Sequence, residues 1–169
     1  MKDTWKGVWN WGGGGLPTFP EVQGILFIGV QASGKSTFYV QRFFRTHVRI
    51  SMDLLNTRNK EQRMLETCVD LQQRVVIDNT NPTAAERARY IAQLRAAKYN
   101  VVGYYFRSSL SEVLDRNGAR PIAEQVPRVG ILGTHKRLEL PSLSEGFDEL
   151  YYISIDDGEF VVNDWQDEV

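Results

Sequence analysis

Gly29-Val30-Gln31-Ala32-Ser33-Gly34-Lys35-Ser36-Thr37 decides how this chain reads. It satisfies G-x-x-x-x-G-K-[ST] in full. Ile25-Leu26-Phe27-Ile28 before it is a short apolar run suited to a buried strand, and Phe38, Val40, Phe43 and Phe44 after it recur at helical spacing. Strand, loop and helix start therefore follow in the order that a phosphate-binding loop needs. Gly29 and Gly34 allow turns that a Cβ would forbid, so successive N–H groups can face a phosphate. The helix start adds unpaired donors and positive partial charge. Lys35 is expected to reach the β- and γ-phosphates of ATP, and the Ser36 hydroxyl to hold Mg²⁺. The nucleotide-contacting set in the loop is Gly29, Ala32, Ser33, Gly34, Lys35, Ser36 and Thr37. The competing reading is a glycine turn that only resembles a phosphate loop.

At 169 residues the chain fits one domain with a sizeable core. No apolar run approaches a membrane span, and no charged-then-apolar secretory signal opens the sequence. Its one cysteine, Cys68, excludes an internal disulfide and falls between Leu65 and Leu71 in a helical pattern, where packing is the expected role. These features lead to an expectation of a reducing, cytoplasmic setting. The net charge of −1 hides an asymmetry. Residues 35–137 hold 18 Lys and Arg against nine Asp and Glu, while residues 138–169 hold ten Asp and Glu and no Lys or Arg. A basic body suits a polyanion such as nucleic acid. Mutual neutralisation of body and tail, or a cleft for ATP alone, would account for it equally.

Three segments are expected: an irregular Trp/Gly-rich lead-in at 1–23, a domain built around the 29–37 loop at 24–163 and an acidic tail at 164–169. In the lead-in, Trp5, Trp9 and Trp11 precede four glycines at 12–15, then Pro17 and Pro20. Surface packing is the expected role of the tryptophans, with base stacking as the alternative. Thr46 to Ser51 reads as a strand that delivers Asp53 to the rim where open parallel sheets bind ligands. Asp53 there can take a proton from a hydroxyl nucleophile, or merely cap a helix. Residues 59–73 read as an amphipathic helix using Met64, Leu65, Cys68, Val69 and Leu71. Arg74-Val75-Val76-Ile77-Asp78 reads as the strand whose terminal acid sits near Mg²⁺ beside a phosphate loop. Asn81 is pushed out of the helical region by Pro82. Thr83 and Glu86 form a capping box for a helix with Ala84, Ala88, Ile91 and Leu94 on its inner face. Arg87 and Arg89 near its start suggest an anionic partner, or solvated surface charge.

Val101 to Phe106 is a further buried strand, followed by a helix capped by Ser109 or Ser111. Arg116-Asn117-Gly118-Ala119-Arg120-Pro121 then breaks the helical pattern. A movable segment carrying two arginines suits a phosphoryl-transfer lid, with a surface hinge as the plainer alternative. Val126 to Leu140 reads as a helix in which His135 is surface. Residues 150–162 read as a hairpin turning at Asp156-Asp157-Gly158.

The loop, Ile50-Ser51-Met52-Asp53, Val76-Ile77-Asp78-Asn79-Thr80-Asn81-Pro82, Arg87-Ala88-Arg89-Tyr90, Arg116-Asn117-x-x-Arg120 and Pro141 to Phe147 occur in one order. Together they resemble the kinase domain of the polynucleotide kinase/phosphatase family over about residues 24–153. The resemblance implies an α/β P-loop kinase fold, a central parallel sheet flanked by helices with a mobile arginine-bearing lid. It implies transfer of the ATP γ-phosphate to a 5′-hydroxyl end of DNA or RNA. By carry-over, Lys35, Asp53 and Arg120 are the catalytic set, with Asp53 as general base. Arg116 and Arg120 join the nucleotide contacts, and Ser36 and Asp78 form the metal site. The cofactors implied are ATP and Mg²⁺. The partners implied are nucleic-acid ends, with a second copy or a separate phosphatase or ligase as further candidates, and no membrane.

The phage member of that family carries an arginine three residues after its base, where this chain has Asn56, with Arg58 two further on. The Asp-x-Asp-Gly-Thr phosphatase signature is absent from this sequence, so phosphatase activity is not expected of it. Two other readings stand beside the polynucleotide kinase: a zeta-toxin-like kinase of a small molecule or nucleotide sugar, and a non-catalytic ATP-binding module.

Overall fold

The computed structural model describes residues 22–107 and 109–166. The tryptophans and glycines of the lead-in lie outside them. Six strands form one sheet in the order β2-β3-β1-β4-β5-β6. They are β1 Gln23–Ile28, β2 Val48–Ile50, β3 Val75–Ile77, β4 Asn100–Phe106, β5 Glu149–Asp156 and β6 Glu159–Asp164. The first five are parallel, and β6 returns antiparallel along β5. The hairpin expected at 150–162 is this β5–β6 pair, with Asp157 at φ 47 and Gly158 at φ 82 in its turn. The intervening helices are α1 Lys35–Arg42, α2 Met52–Leu55, α3 Arg58–Asp70, α4 Ala84–Ala96, α5 Leu110–Gly118 and α6 Arg128–Arg137. No helix among the described residues is long and apolar enough to cross a membrane.

The apolar run of β1 is continuous because both of its faces are covered. Ile25 and Phe27 point to one side, where Phe38 and Tyr39 of α1 meet Val102, Phe106 and Ile153. Leu26 and Ile28 point to the other, against Leu65 of α3 and Tyr90, Ile91 and Leu94 of α4. Phe160 of β6 completes the α1 side, with its ring 5.1 Å from that of Phe38. Gly34, at φ 95, sits so close to this hairpin that an added Cβ would lie 2.9 Å from the Phe160 ring. A side chain there would meet both the strained backbone conformation and the ring.

Three helix faces differ from the sequence expectation. The first helix ends at Arg42, so Phe43 and Phe44 fall beyond it. Phe38 and Tyr39 face the sheet, while Val40 is 61% and Phe44 67% exposed. In α3 the inner face is Glu61, Leu65 and Cys68, with Leu71 in solvent. In α4 it is Arg87, Tyr90, Ile91 and Leu94, with Ala88 outside. Alanine fits either face, so it could not fix the phase of that helix. The capping box of α4 is also half made: Thr83 accepts from the Glu86 N–H, while the Glu86 carboxylate accepts from Arg137.

Arg87 is neither a partner-facing nor a solvated charge. It is fully buried, and its guanidinium makes five hydrogen bonds. Two run side by side to Glu145 at 2.7 Å each, and the others reach the carbonyls of Asn81, Pro82 and Glu139. Removing one partner of a buried pair leaves the other charge unpaired in a poor solvent. Arg87→Ala is expected to destabilise the domain by about 3–5 kcal/mol, measured by urea denaturation against the parent protein.

Candidate functional site

The sheet order places β1 between β3 and β4, so the chain leaves β1 in one direction and later returns on its other side. Ligands bind at the carboxyl ends of strands beside such a reversal. There the 29–37 loop follows β1, Ser51–Asp53 follows β2 and Asp78–Pro82 follows β3. A cleft of about 290 Å³ opens between them. Gln31, Ala32, Lys35, Asp53, Asp78 and Arg120 are among its lining residues. The sequence-predicted Gly34, Ser36 and Thr37 line it too.

The loop is held from behind. Gly29 N–H donates to the Thr80 carbonyl at 3.0 Å, and Asn81 Nδ2 donates to the Phe27 carbonyl at 2.7 Å. Asn81 sits at φ 44, in the left-handed region that asparagine tolerates, rather than in the extended region that a following proline favours. Lys35 is buried, and its ammonium donates to the carbonyls of Gly29 (3.0 Å) and Val30 (2.5 Å) and to Ser33 Oγ (3.3 Å). Burial, aided by the charge of Arg120, lowers the Lys35 pKa to about 8 against the opposing pull of Asp78 and Asp53. A phosphate arriving at the loop would supply the negative charge that this lysine lacks.

Ser36 and Asp78, paired in the sequence reading, are paired in space: Ser36 Oγ donates to Asp78 Oδ2 at 3.0 Å. A hydroxyl and a carboxylate are the hard oxygen donors that Mg²⁺ takes, with phosphates and water completing its shell. By type these donors fit that ion, which would have to share both of them with the Arg49 guanidinium. Among the described residues no group of three or more His, Cys, Asp or Glu side chains forms a separate metal cluster. Arg49 also belongs here, although sequence reasoning assigned it no role. Its Nε donates to Asp78 Oδ2 at 2.7 Å and its Nη2 to Ser36 Oγ at 2.8 Å. The available signal was a charged residue at the centre of the strand Val48-Arg49-Ile50.

Asp53 stands exposed at the cleft mouth, in the first turn of α2, with Ser51 as the cap. Of the two lid arginines, Arg120 lines the cleft and Arg116 does not. Helix α5 does not break at Arg116 but runs on through Gly118, and Arg116 Nη1 donates to the Ala32 carbonyl at 3.4 Å. Arg120 follows the helix and lines the cleft. The Asn117 side chain exchanges two hydrogen bonds of 2.9 Å with Val126, closing the 118–125 loop at its base. Ser109, not Ser111, caps α5, in a complete capping box with Glu112.

No family model matches the chain. It is 26% identical over 148 residues to the bifunctional polynucleotide phosphatase/kinase of Schizosaccharomyces pombe, covering 83% of this chain and 36% of that protein. It is 30% identical over 134 residues to a putative bifunctional polynucleotide phosphatase/kinase of Acanthamoeba polyphaga mimivirus, covering 75% and 32%. The chain resembles the polynucleotide phosphatase/kinases. It spans about a third of the length of these relatives. The structure of Chaetomium thermophilum Kti12 in complex with ADP-AlF3 is similar at a TM-score of 0.65 and 16% identity, over 79% of this chain and 90% of that one. A gluconokinase from Sinorhizobium meliloti matches at 0.57 and 16%, over 78% and 81%. The fold shared with such neighbours is that of the P-loop kinases, as the resemblance to polynucleotide phosphatase/kinases implied.

The lysine gives a pH test. Its folded pKa is lowered to about 8 from 10.5, so between those values the unfolded chain holds the proton more tightly. Stability then rises with pH across that window, by up to about 1.4 kcal/mol per pH unit. The difference in unfolding free energy between the parent and Lys35→Met, taken without nucleotide from pH 8 to 10, is expected to grow in favour of the parent.

Proposed function

We propose that this chain is an ATP-dependent kinase that transfers the γ-phosphate to a 5′-hydroxyl end of DNA or RNA. The observation that carries the reading is the single cleft shared by Lys35, Ser36, Asp78, Asp53 and Arg120. Its resemblance to the polynucleotide phosphatase/kinases supports a polynucleotide acceptor, and the basic 35–137 region suits a polyanion. A nucleotide site is further supported by the fold shared with a neighbour solved with ADP-AlF3.

In this mechanism the N–H groups of the loop and the Lys35 ammonium hold the phosphates. Ser36 and Asp78 would hold Mg²⁺, which when bound neutralises charge on the phosphate oxygens. Asp53 accepts the proton of the attacking hydroxyl as its oxygen bonds to the γ-phosphorus. The bond from that phosphorus to the bridging oxygen breaks, and ADP leaves. Arg120, together with Arg116, balances charge spread over the transferring group. Catalysis is mostly positioning and charge neutralisation, as the chemistry of phosphoryl transfer allows.

The deciding experiment offers [γ-³²P]ATP and Mg²⁺ to short 5′-hydroxyl DNA and RNA strands, with Lys35→Ala as the blank. Label on the strands is the expected result. Intact nucleotide binding with no label on any strand sinks the polynucleotide reading and leaves a small-molecule acceptor. Asp53→Ala is expected to lower kcat by about 10²–10⁴ with little change in ATP affinity. Strand affinity is expected to fall steeply between about 50 and 200 mM salt, as counterion release requires. A flat salt response would count against a nucleic-acid acceptor.

A further inference from the structure

Helix α2 carries Asp53 but is four residues long and has no fully buried side chain. A single turn of this kind is not stable by itself. Its hydrophobic purchase is Leu55, half-buried at the edge of the core. Its N-terminal N–H groups are satisfied by two side chains: Ser51 Oγ accepts from Asp53, and Asn79 Oδ1 accepts from Met52 at 2.9 Å. The first bond is local. The second ties the turn to the segment that follows β3.

The Asn79 amide is itself held in one orientation. Its Nδ2 donates to Glu61 Oε1 at 2.5 Å while its Oδ1 faces the Met52 N–H. A flipped amide would set oxygen against carboxylate and NH₂ against N–H, losing both bonds. Glu61, on α3, is 2% exposed. Its carboxylate also accepts from Arg58 at 2.9 Å, Tyr90 OH at 2.8 Å and Arg89 at 3.1 Å. Burial alone would raise the Glu61 pKa, yet hydrogen bonds from Arg58, Tyr90 and Asn79 and the charge of Arg58 hold it below the usual carboxylate range. The carboxylate is thus a fixed, ionised acceptor. Arg89 is in turn stacked on the Tyr90 ring at 4.4 Å.

We propose that Glu61 and Asn79 are positioning residues for phosphoryl transfer: the buried carboxylate locks the Asn79 amide, and the amide sets the turn that aims Asp53. This rests on the reading of Asp53 as the base. Glu61 does not line the cleft but holds two residues that do, Asn79 and Arg58, and of these it is Asn79 that bonds the turn carrying Asp53. A plain stabilising cluster would alter melting temperature and leave the chemical step of the folded enzyme intact. A positioning chain alters kcat at unchanged nucleotide affinity, because a displacement near 1 Å of a reacting group is enough.

The test uses Asn79→Asp, Glu61→Gln and the double variant in the full chain. In Asn79→Asp two carboxylates face each other and the amide donor is lost. In the double variant the amide introduced on α3 can donate to the carboxylate introduced after β3, and the other oxygen of that carboxylate again accepts from Met52. Asn79→Asp is expected to lower kcat about 100-fold with ADP affinity within about twofold, and the double variant to recover about tenfold or more. Hydrogen exchange at the Met52 amide, read by NMR, is expected to speed up in Asn79→Asp and slow again in the double variant. A double variant no faster than Asn79→Asp, or Met52 protection that ignores all three changes, overturns the proposal. Should Asn79→Asp not fold, Glu61→Gln decides alone: about a tenfold loss of kcat at unchanged ATP KM is expected, and parent-like kcat overturns it. Asp53→Asn is run beside them. Full turnover there refutes the base assignment itself, whereas Met52 exchange reports the tie whether or not any strand is phosphorylated.

Discussion

The Arg87–Glu145 pair is the constraint from which the site is built. A guanidinium with no exposure costs a great deal to desolvate, and only a full set of acceptors makes it tolerable. Glu145 supplies two, and the carbonyls of Asn81, Pro82 and Glu139 supply the rest. The first two of those carbonyls directly follow Asn79 and Thr80, which line the cleft. The pair therefore fixes the 79–82 loop against α4 and the approach to β5 in one step. Asn81 then reaches the end of β1, and Thr80 accepts from Gly29. The phosphate loop rests, at one remove, on a buried charge.

From that frame outward the site is held by polar bonds more than by apolar contact. Lys35 is tethered by its own loop, Ser36 and Asp78 by each other and Arg49, and the Asp53 turn by Ser51 and Asn79. Such bonds are directional, so they fix orientation in a way that hydrophobic contact does not. They also exchange readily for bonds to a ligand. A carbonyl-bound lysine with a pKa of about 8 is the clearest instance, since its burial leaves it short of negative charge.

Much of this was legible in the sequence, and the pattern of what was not is physical. The loop, Asp53 and Asp78 were read because their chemistry is local: a fixed spacing of glycines and a lysine, and acids that end apolar strands. The six strands followed from short β-branched and aromatic runs between turn residues, and the parallel sheet from the resemblance to the polynucleotide kinase/phosphatase family. Arg87, Glu61 and Arg49 escaped because a charge within an element reads as solvent-facing until its partner is known. Arg87 and Arg49 find their partners 58 and 29 residues away, in Glu145 and Asp78, and Glu61, besides Arg58 on its own helix, is held by Tyr90 29 residues on. Periodicity sees neighbours within two turns and nothing beyond. The Pro141 to Phe147 segment carried the resemblance without explaining itself; Glu145 holds Arg87, and Phe147 packs into the core beside Leu150.

The closeness of Phe160 to Gly34 bears on how the molecule is made. The ring beneath the helix that follows the loop lies more than 120 residues further along the chain, on β6. Contacts so distant along a chain form late, because loop closure must be met first. A nascent chain can pair β1 with β3 and β4 long before α1 has its full bed. The packing of α1 against the sheet is thus complete only once the β5–β6 hairpin has paired.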